Sequence, residues 1–159
     1  MFGSVLRLVR LPLLLLLIWA VARFSLGLAG FPYAPRGNAM FSIVGLTFIS
    51  CIYWGALSGR IAGLDWRGTV LVGIAIGLSG QVLIFLATLV SLIGGLNTYF
   101  VHWDALNIPE GSPVEFGHTM ISRALGLAFG GVLVPTIMAL VGRALGGLIP
   151  RPASRGTDI

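Results

Sequence analysis

Two histidines and two acids, His102, Asp104, Glu115 and His118, bring the side-chain types of a metal site into one stretch of this sequence. Imidazole nitrogens and carboxylate oxygens are the usual donors to zinc and other divalent ions. His-x-Asp is a weak spacing, however, and no His-Glu-x-x-His pattern accompanies it. Haem held by two histidines would need His102 and His118 on facing helices with the ring buried between them, whereas both fall at the rim of the apolar sequence. Nucleophilic chemistry has less to work with. The chain has no Gly-x-Ser-x-Gly elbow and no glycine-rich phosphate loop, and a Ser-Lys pair is excluded because lysine is absent. The expectation is therefore no catalytic residue and no cofactor, with haem or a divalent metal at these four residues as the lesser alternative.

The same stretch reads better as a contact surface. Arg36, Trp103, Asp104, Glu115, His118 and Arg123 form the predicted set for a protein partner or lipid headgroups, with three arginines (Arg23, Arg36, Arg123) able to pair with three acids (Asp104, Glu110, Glu115). On a helix, Glu115, His118 and Ser122 would share one face.

Long apolar runs must position these groups. Apolar residues make up 57% of the 159 and charged residues 9%, with a mean hydropathy of +0.99; soluble domains carry roughly 25% charged residues. A membrane-crossing helix needs about 20 apolar residues. The sequence accommodates spans at about 8–29, 39–58, 69–95 and 117–142, within a single domain over 1–149 and a short polar cytoplasmic tail over 150–159. The expected fold is an all-α, antiparallel bundle of four transmembrane helices. Arg7 and Arg10, Leu11–Ile18 and Ala20-Val21-Ala22 follow the pattern of a cleaved secretory signal. Apolar sequence continuing through Phe24, Leu26 and Leu28 favours a retained first span instead.

Threaded from the inside, the chain places Arg7, Arg10, Arg60, Arg67, Arg143, Arg151 and Arg155 with Asp65 and Asp158 on one side. The three arginines and three acids named above fall on the other, so the formal net charge of +5 lies entirely on one face. Basic residues of short loops stay cytoplasmic, which predicts both termini inside a bacterial-type inner membrane. Scattered arginines without a basic stripe exclude a nucleic-acid surface. The single Cys51 lies inside a span and has no intrachain partner for a disulfide.

Within the spans, glycines recur at four-residue spacing: Gly55 and Gly59, Gly73 and Gly77, Gly126 and Gly130. Such pairs let helix backbones approach closely. They serve the bundle itself or lateral contacts with other membrane subunits or a second copy. Gln81 is a polar point near the middle of the third span, and no acid lies inside an apolar core, which argues against proton- or cation-coupled transport. The functional expectation is a non-catalytic accessory or structural subunit. A small transporter or channel passing Gln81 is the runner-up. Ser112-Pro113-Val114-Glu115 has the form of a capping box, predicting that the last helix starts near Pro113 and is kinked by Pro135.

Overall fold

The computed structural model describes residues 2–31 and 42–148. Every regular element among them is helical: α1 (Phe2–Leu28), α2 (Ile43–Ser58), α3 (Trp66–Ile93), a 3-10 turn (Tyr99–Val101), α4 (Trp103–Leu106), α5 (Phe116–Ala128), a π turn (Phe129–Leu133) and α6 (Val134–Leu148). α5, the π turn and α6 form one continuous rod of 33 residues, here called the last span. α1, α3 and the last span are long and apolar enough to cross a bilayer, and α2 is a shorter apolar helix. The fold is thus compatible with a membrane helical bundle.

Local chemistry sets the ends. Asp65 caps α3 by accepting the Gly68 N–H at 2.8 Å, and Ser42 caps α2 by accepting the Gly45 N–H at 3.1 Å. α3 closes where Gly95 takes φ +58° and the Leu96 N–H donates back to the Ser91 carbonyl at 2.8 Å. In the last span, Pro135 has no N–H to offer the Gly131 carbonyl, and its ring crowds that oxygen. The backbone widens just before it, so that the Val134 N–H reaches the Phe129 carbonyl.

Helix directions follow from who meets whom. Ser58 bonds Thr69 and Thr47 lies over Gly80, so α2 and α3 run antiparallel. Gly73 faces Thr136, Gly77 faces Gly131 and Gln81 faces Gly130, so the last span runs antiparallel to α3. The end of α1 meets the 3-10 turn that follows α3, with Phe24 on Phe100 and Arg23 over Tyr99, while its start lies beside Ile61 and Ala62, so α1 and α3 are parallel. The bundle is up-down-up-down. The start of α1, the α2–α3 loop and the end of α6 share one end, called the terminal end. The segment between α3 and α5 closes the far end.

α2 and α3 form the centre, with α1 against both on one side and α6 against both on the other. Small residues make this possible. A methyl group built on Gly142 would overlap the Ile52 carbonyl, and one on Gly55 would overlap the Ala139 carbonyl. α2 and α6 therefore touch backbone to backbone. All six glycines expected at packing positions face a neighbour within the chain: Gly55, Gly73 and Gly77 meet α6 and the π turn, Gly59 meets the Arg143 guanidinium, and Gly126 and Gly130 lie against Gln81.

Several boundaries differ from the sequence reading. α1 starts at Phe2, so Pro12 lies well inside the helix, buried against the core. α3 starts at Trp66, three residues early, because Asp65 supplies a cap. The capping box does not form. The last helix starts at Phe116, and Glu115 stands at the N-cap without a side-chain bond. Ser112 instead gives its N–H to the Pro109 carbonyl at 3.1 Å in a turn where Gly111 has φ +82°. Pro113 further biases Ser112 away from helical geometry. The last helix also continues past residue 142 to Leu148, with Gly142 and Gly146 packed on α2. The start of the second span at 39, Arg36 and the tail at 150–159 lie outside the described residues.

Close packing here predicts a sharp contrast. Gly142→Ala is expected to destabilise the bundle by about 1–3 kcal/mol through overpacking. Gly117→Ala, which meets nothing within 4 Å, leaves it unchanged or slightly better. Thermal unfolding of both variants in detergent checks this; equal losses would contradict the close approach of α2 and α6.

Candidate functional site

A dense polar construction lies at the far end. It begins where α3 stops. Ser91 donates to the Ala87 carbonyl at 2.7 Å and shares a 2.7 Å hydroxyl contact with Thr98. Both side chains are buried, so their hydroxyls need these partners. Thr98 then leads into the 3-10 turn, which buries Phe100 (2% exposed) against the Phe24 ring of α1 at 6.3 Å. The chain continues into α4, whose His102 cap accepts the Asp104 N–H at 3.4 Å, and leaves through Asn107 in the left-handed conformation.

Two arginines hold this segment to the bundle. Arg123, two turns into α5, donates from Nη2 to the carbonyls of Phe100 (3.3 Å) and Ala105 (3.1 Å). One guanidinium thus ties the 3-10 turn and α4 to the last span. Its Nε is buried without an acceptor. Arg23 of α1 is 6% exposed, and its guanidinium lies 3.5 Å above the Tyr99 ring. Such stacking suits the flat guanidinium, which is weakly hydrated compared with an ammonium.

These groups surround a cavity of about 110 Å³ lined by Arg23, Ser42, Ile43, Val44, Ile84, Tyr99, Phe100, Ala105 and Arg123. Four elements contribute: α1, the first turn of α2, α3 and the far-end segment with α5. Among the described residues its lining contains two arginines and no carboxylate. A smaller void of about 20 Å³ lies between α4 and α5, beside His118, Thr119, Ser122 and Arg123.

The predicted contact set divides accordingly. Arg123 turns inward and is half-buried, Trp103 and Asp104 are half-buried, and Glu115 and His118 are exposed. Arg123 reaches carbonyl oxygens rather than the acids expected to pair with it, because the α4 segment folds back over it and offers those oxygens first. The potential metal donors do not converge. No group of three or more His, Cys, Asp or Glu side chains close enough to hold an ion occurs among the described residues. His102 uses Nδ1 on its own turn and packs on Trp103 at 5.2 Å. Gln81 lies against Gly126, Gly130 and Gly131 at the π turn. The Thr47 hydroxyl donates within its own helix to Ile43 at 2.7 Å.

Arg23 and Tyr99 were not in the predicted set. The signal available for Arg23 was a cation inside an apolar run, Val21-Ala22-Arg23-Phe24. Arg143 at the terminal end was also missed as a structural residue. Its Nη1 donates to the Leu64 carbonyl (2.7 Å), Thr69 Oγ1 (3.0 Å) and Ser58 Oγ (3.3 Å), and its guanidinium sits 4.9 Å from the Trp66 ring centroid.

Comparison of the chain with protein-family models, curated proteins and solved structures finds no match in any of the three.

Arg123→Lys keeps the charge and removes the fork. Hydrogen bonds from charged donors contribute about 1.5–3 kcal/mol, so amide exchange over residues 99–106 is expected to quicken at least tenfold, with α2 and α6 unaffected. Hydrogen-exchange mass spectrometry reads both regions at once. Unchanged protection over 99–106 would show that Arg123 does not hold the segment.

Proposed function

We propose that this chain is a non-catalytic integral protein of a bacterial-type inner membrane, with both termini cytoplasmic, acting as an accessory subunit whose far end meets a partner or lipid headgroups. The observation that carries the reading is the construction of that end. A short segment is pinned by Arg123 and the Phe100–Phe24 contact, leaving Glu115 and His118 exposed and Trp103 and Asp104 half-exposed beside a cavity lined by two arginines. A pinned polar platform on an apolar bundle suits recognition, which gains from preorganisation.

Lateral packing enters differently from the sequence argument. The spaced glycines are occupied inside the chain, so they are not free for another subunit. The outward face of the last span carries Ile121, Leu125, Phe129, Leu133, Ile137 and Val141, all exposed and at four-residue steps. In this reading that face meets lipid or a neighbouring helix. The inward orientation of the terminal end rests on the arginine count, seven against two aspartates.

A specific observation keeps transport as the second reading. Gln81 lies at the π turn beside Pro135, and π turns mark functional irregularities in helices. On that reading, Gln81→Leu abolishes solute flux with folded yield unchanged; on the favoured one it alters stability alone.

The leading proposal makes two measurable claims. Compartment-specific reporters fused at residue 107 and at each terminus should place 107 outside and both ends inside. Purification in mild detergent after crosslinking in native membranes should return a second polypeptide or bound lipid with the chain. Termini on opposite sides, or a bare monomer, would overturn the proposal.

A further inference from the structure

We infer that the far-end cavity is a phosphate-binding site, built to take the phosphate of a membrane lipid headgroup or free phosphate. The inference rests on the reading of the far end as a recognition surface and names the chemistry recognised there.

Three independent features converge on the same 110 Å³ space. The first is charge: Arg23 and Arg123 both line it, and among the described residues no Asp or Glu does. Guanidinium groups drawn out of water lose hydration, a cost normally offset by an anion. Here Arg123 reaches only neutral carbonyls, at Phe100 and Ala105, and its Nε is buried with no acceptor.

The second feature is backbone. The first turn of α2 lines the cavity through Ser42, Ile43 and Val44. The Ser42 side chain satisfies Gly45, and the amides of Ile43 and Val44 begin a 16-residue helix without intrahelical acceptors. That turn is also the positive end of the helix dipole. The third is shape. Donors come from α1, α2 and α5, with the Tyr99 ring stacked beneath Arg23. A flat carboxylate engages one fork, whereas a tetrahedral phosphate presents oxygens to several directions together.

Position favours a lipid source. Arg23 lies about a turn and a half before the end of α1, and Arg123 two turns after the start of α5, which is headgroup depth for a spanning bundle. An apolar groove of about 270 Å³ between α1 and α3, lined by Leu17, Ala20, Val21, Phe24, Leu83 and Val90 among others, approaches the same level. It has the lining an acyl chain requires.

The test uses the full-length chain, delipidated in a non-ionic detergent. Its unfolding temperature and bound-ligand mass are followed as phosphatidylglycerol, inorganic phosphate or a fatty acid is added. The expected result is a rise in unfolding temperature and one-to-one retention with phosphatidylglycerol. If inorganic phosphate reproduces the rise, the site takes the free anion; if it does not, the site takes the headgroup. Arg23→Gln should remove the response, and Arg60→Gln at the opposite end should retain it.

Because Arg23→Gln removes a buried side chain and can fail to fold, Val44→Glu provides the second arm. It puts a carboxylate at the cavity lining, in the first turn of α2. It is expected to raise the unfolding temperature without ligand and to abolish the phosphate response. A response that survives Val44→Glu, a response to the fatty acid alone, or none to any ligand would overturn the inference. Phosphate binding in a chain whose termini lie on opposite sides would sink the subunit topology and leave this site standing.

Discussion

Backbone-to-backbone contact between α2 and α6 is the constraint on which the rest of the structure depends. In hydrocarbon, lipid tails are as apolar as leucine, so helices gain little by burying aliphatic side chains against one another. What they gain is dispersion from close approach, and that requires residues with almost no side chain. Gly55 under Ala139, Gly142 under Ile52 and Gly146 under Ala56 supply it along one seam. The opposite side of α6 is then left with bulky aliphatics facing outward, which suits a helix with lipid on that side. One helix therefore carries two unlike surfaces.

The last span also fastens both ends. Arg123 and Arg143 are 20 residues apart, which at about 1.5 Å per residue separates their backbones by roughly 30 Å, the thickness of a bilayer core. Each reaches across to carbonyl oxygens of a connecting segment, Phe100 and Ala105 at one end and Leu64 at the other. A loop at a membrane boundary has carbonyls that helix geometry leaves over. A guanidinium, with five donors in a fixed fork, can serve several of them. The glycine seam sets how near the helices lie, and the two arginines set where their connections rest.

Much of this was legible in the sequence, for physical reasons that can be named. Long apolar runs and sparse charge made the helices and their approximate limits readable, since hydrocarbon permits few alternatives for a backbone. Glycine spacing pointed to close packing, but spacing cannot say whether the partner is another helix of the chain. Caps were less legible. Ser112 to Glu115 had the pattern of a capping box, yet the pattern is local, and the preceding Pro109–Gly111 turn claimed the Ser112 amide. The direction of Arg123 was likewise invisible. Its partners are main-chain oxygens, which every residue carries, so no residue type advertises them.

The two ends then separate by how completely their cations are satisfied. At the terminal end, Arg143 has a carbonyl and two hydroxyls, and those hydroxyls are themselves bonded to Gly55, to each other and to Asp65. Arg143 keeps no buried nitrogen without an acceptor, and its cluster reads as a clasp. At the far end, Arg123 serves two carbonyls through one nitrogen and keeps a second nitrogen buried without an acceptor, beside a cavity that Arg23 also lines. Buried polar atoms in native proteins are nearly always paired, and each exception calls for an explanation. Similar residues thus close one end and leave the other incomplete, and incompleteness next to a cavity is what distinguishes a binding site from a fastening.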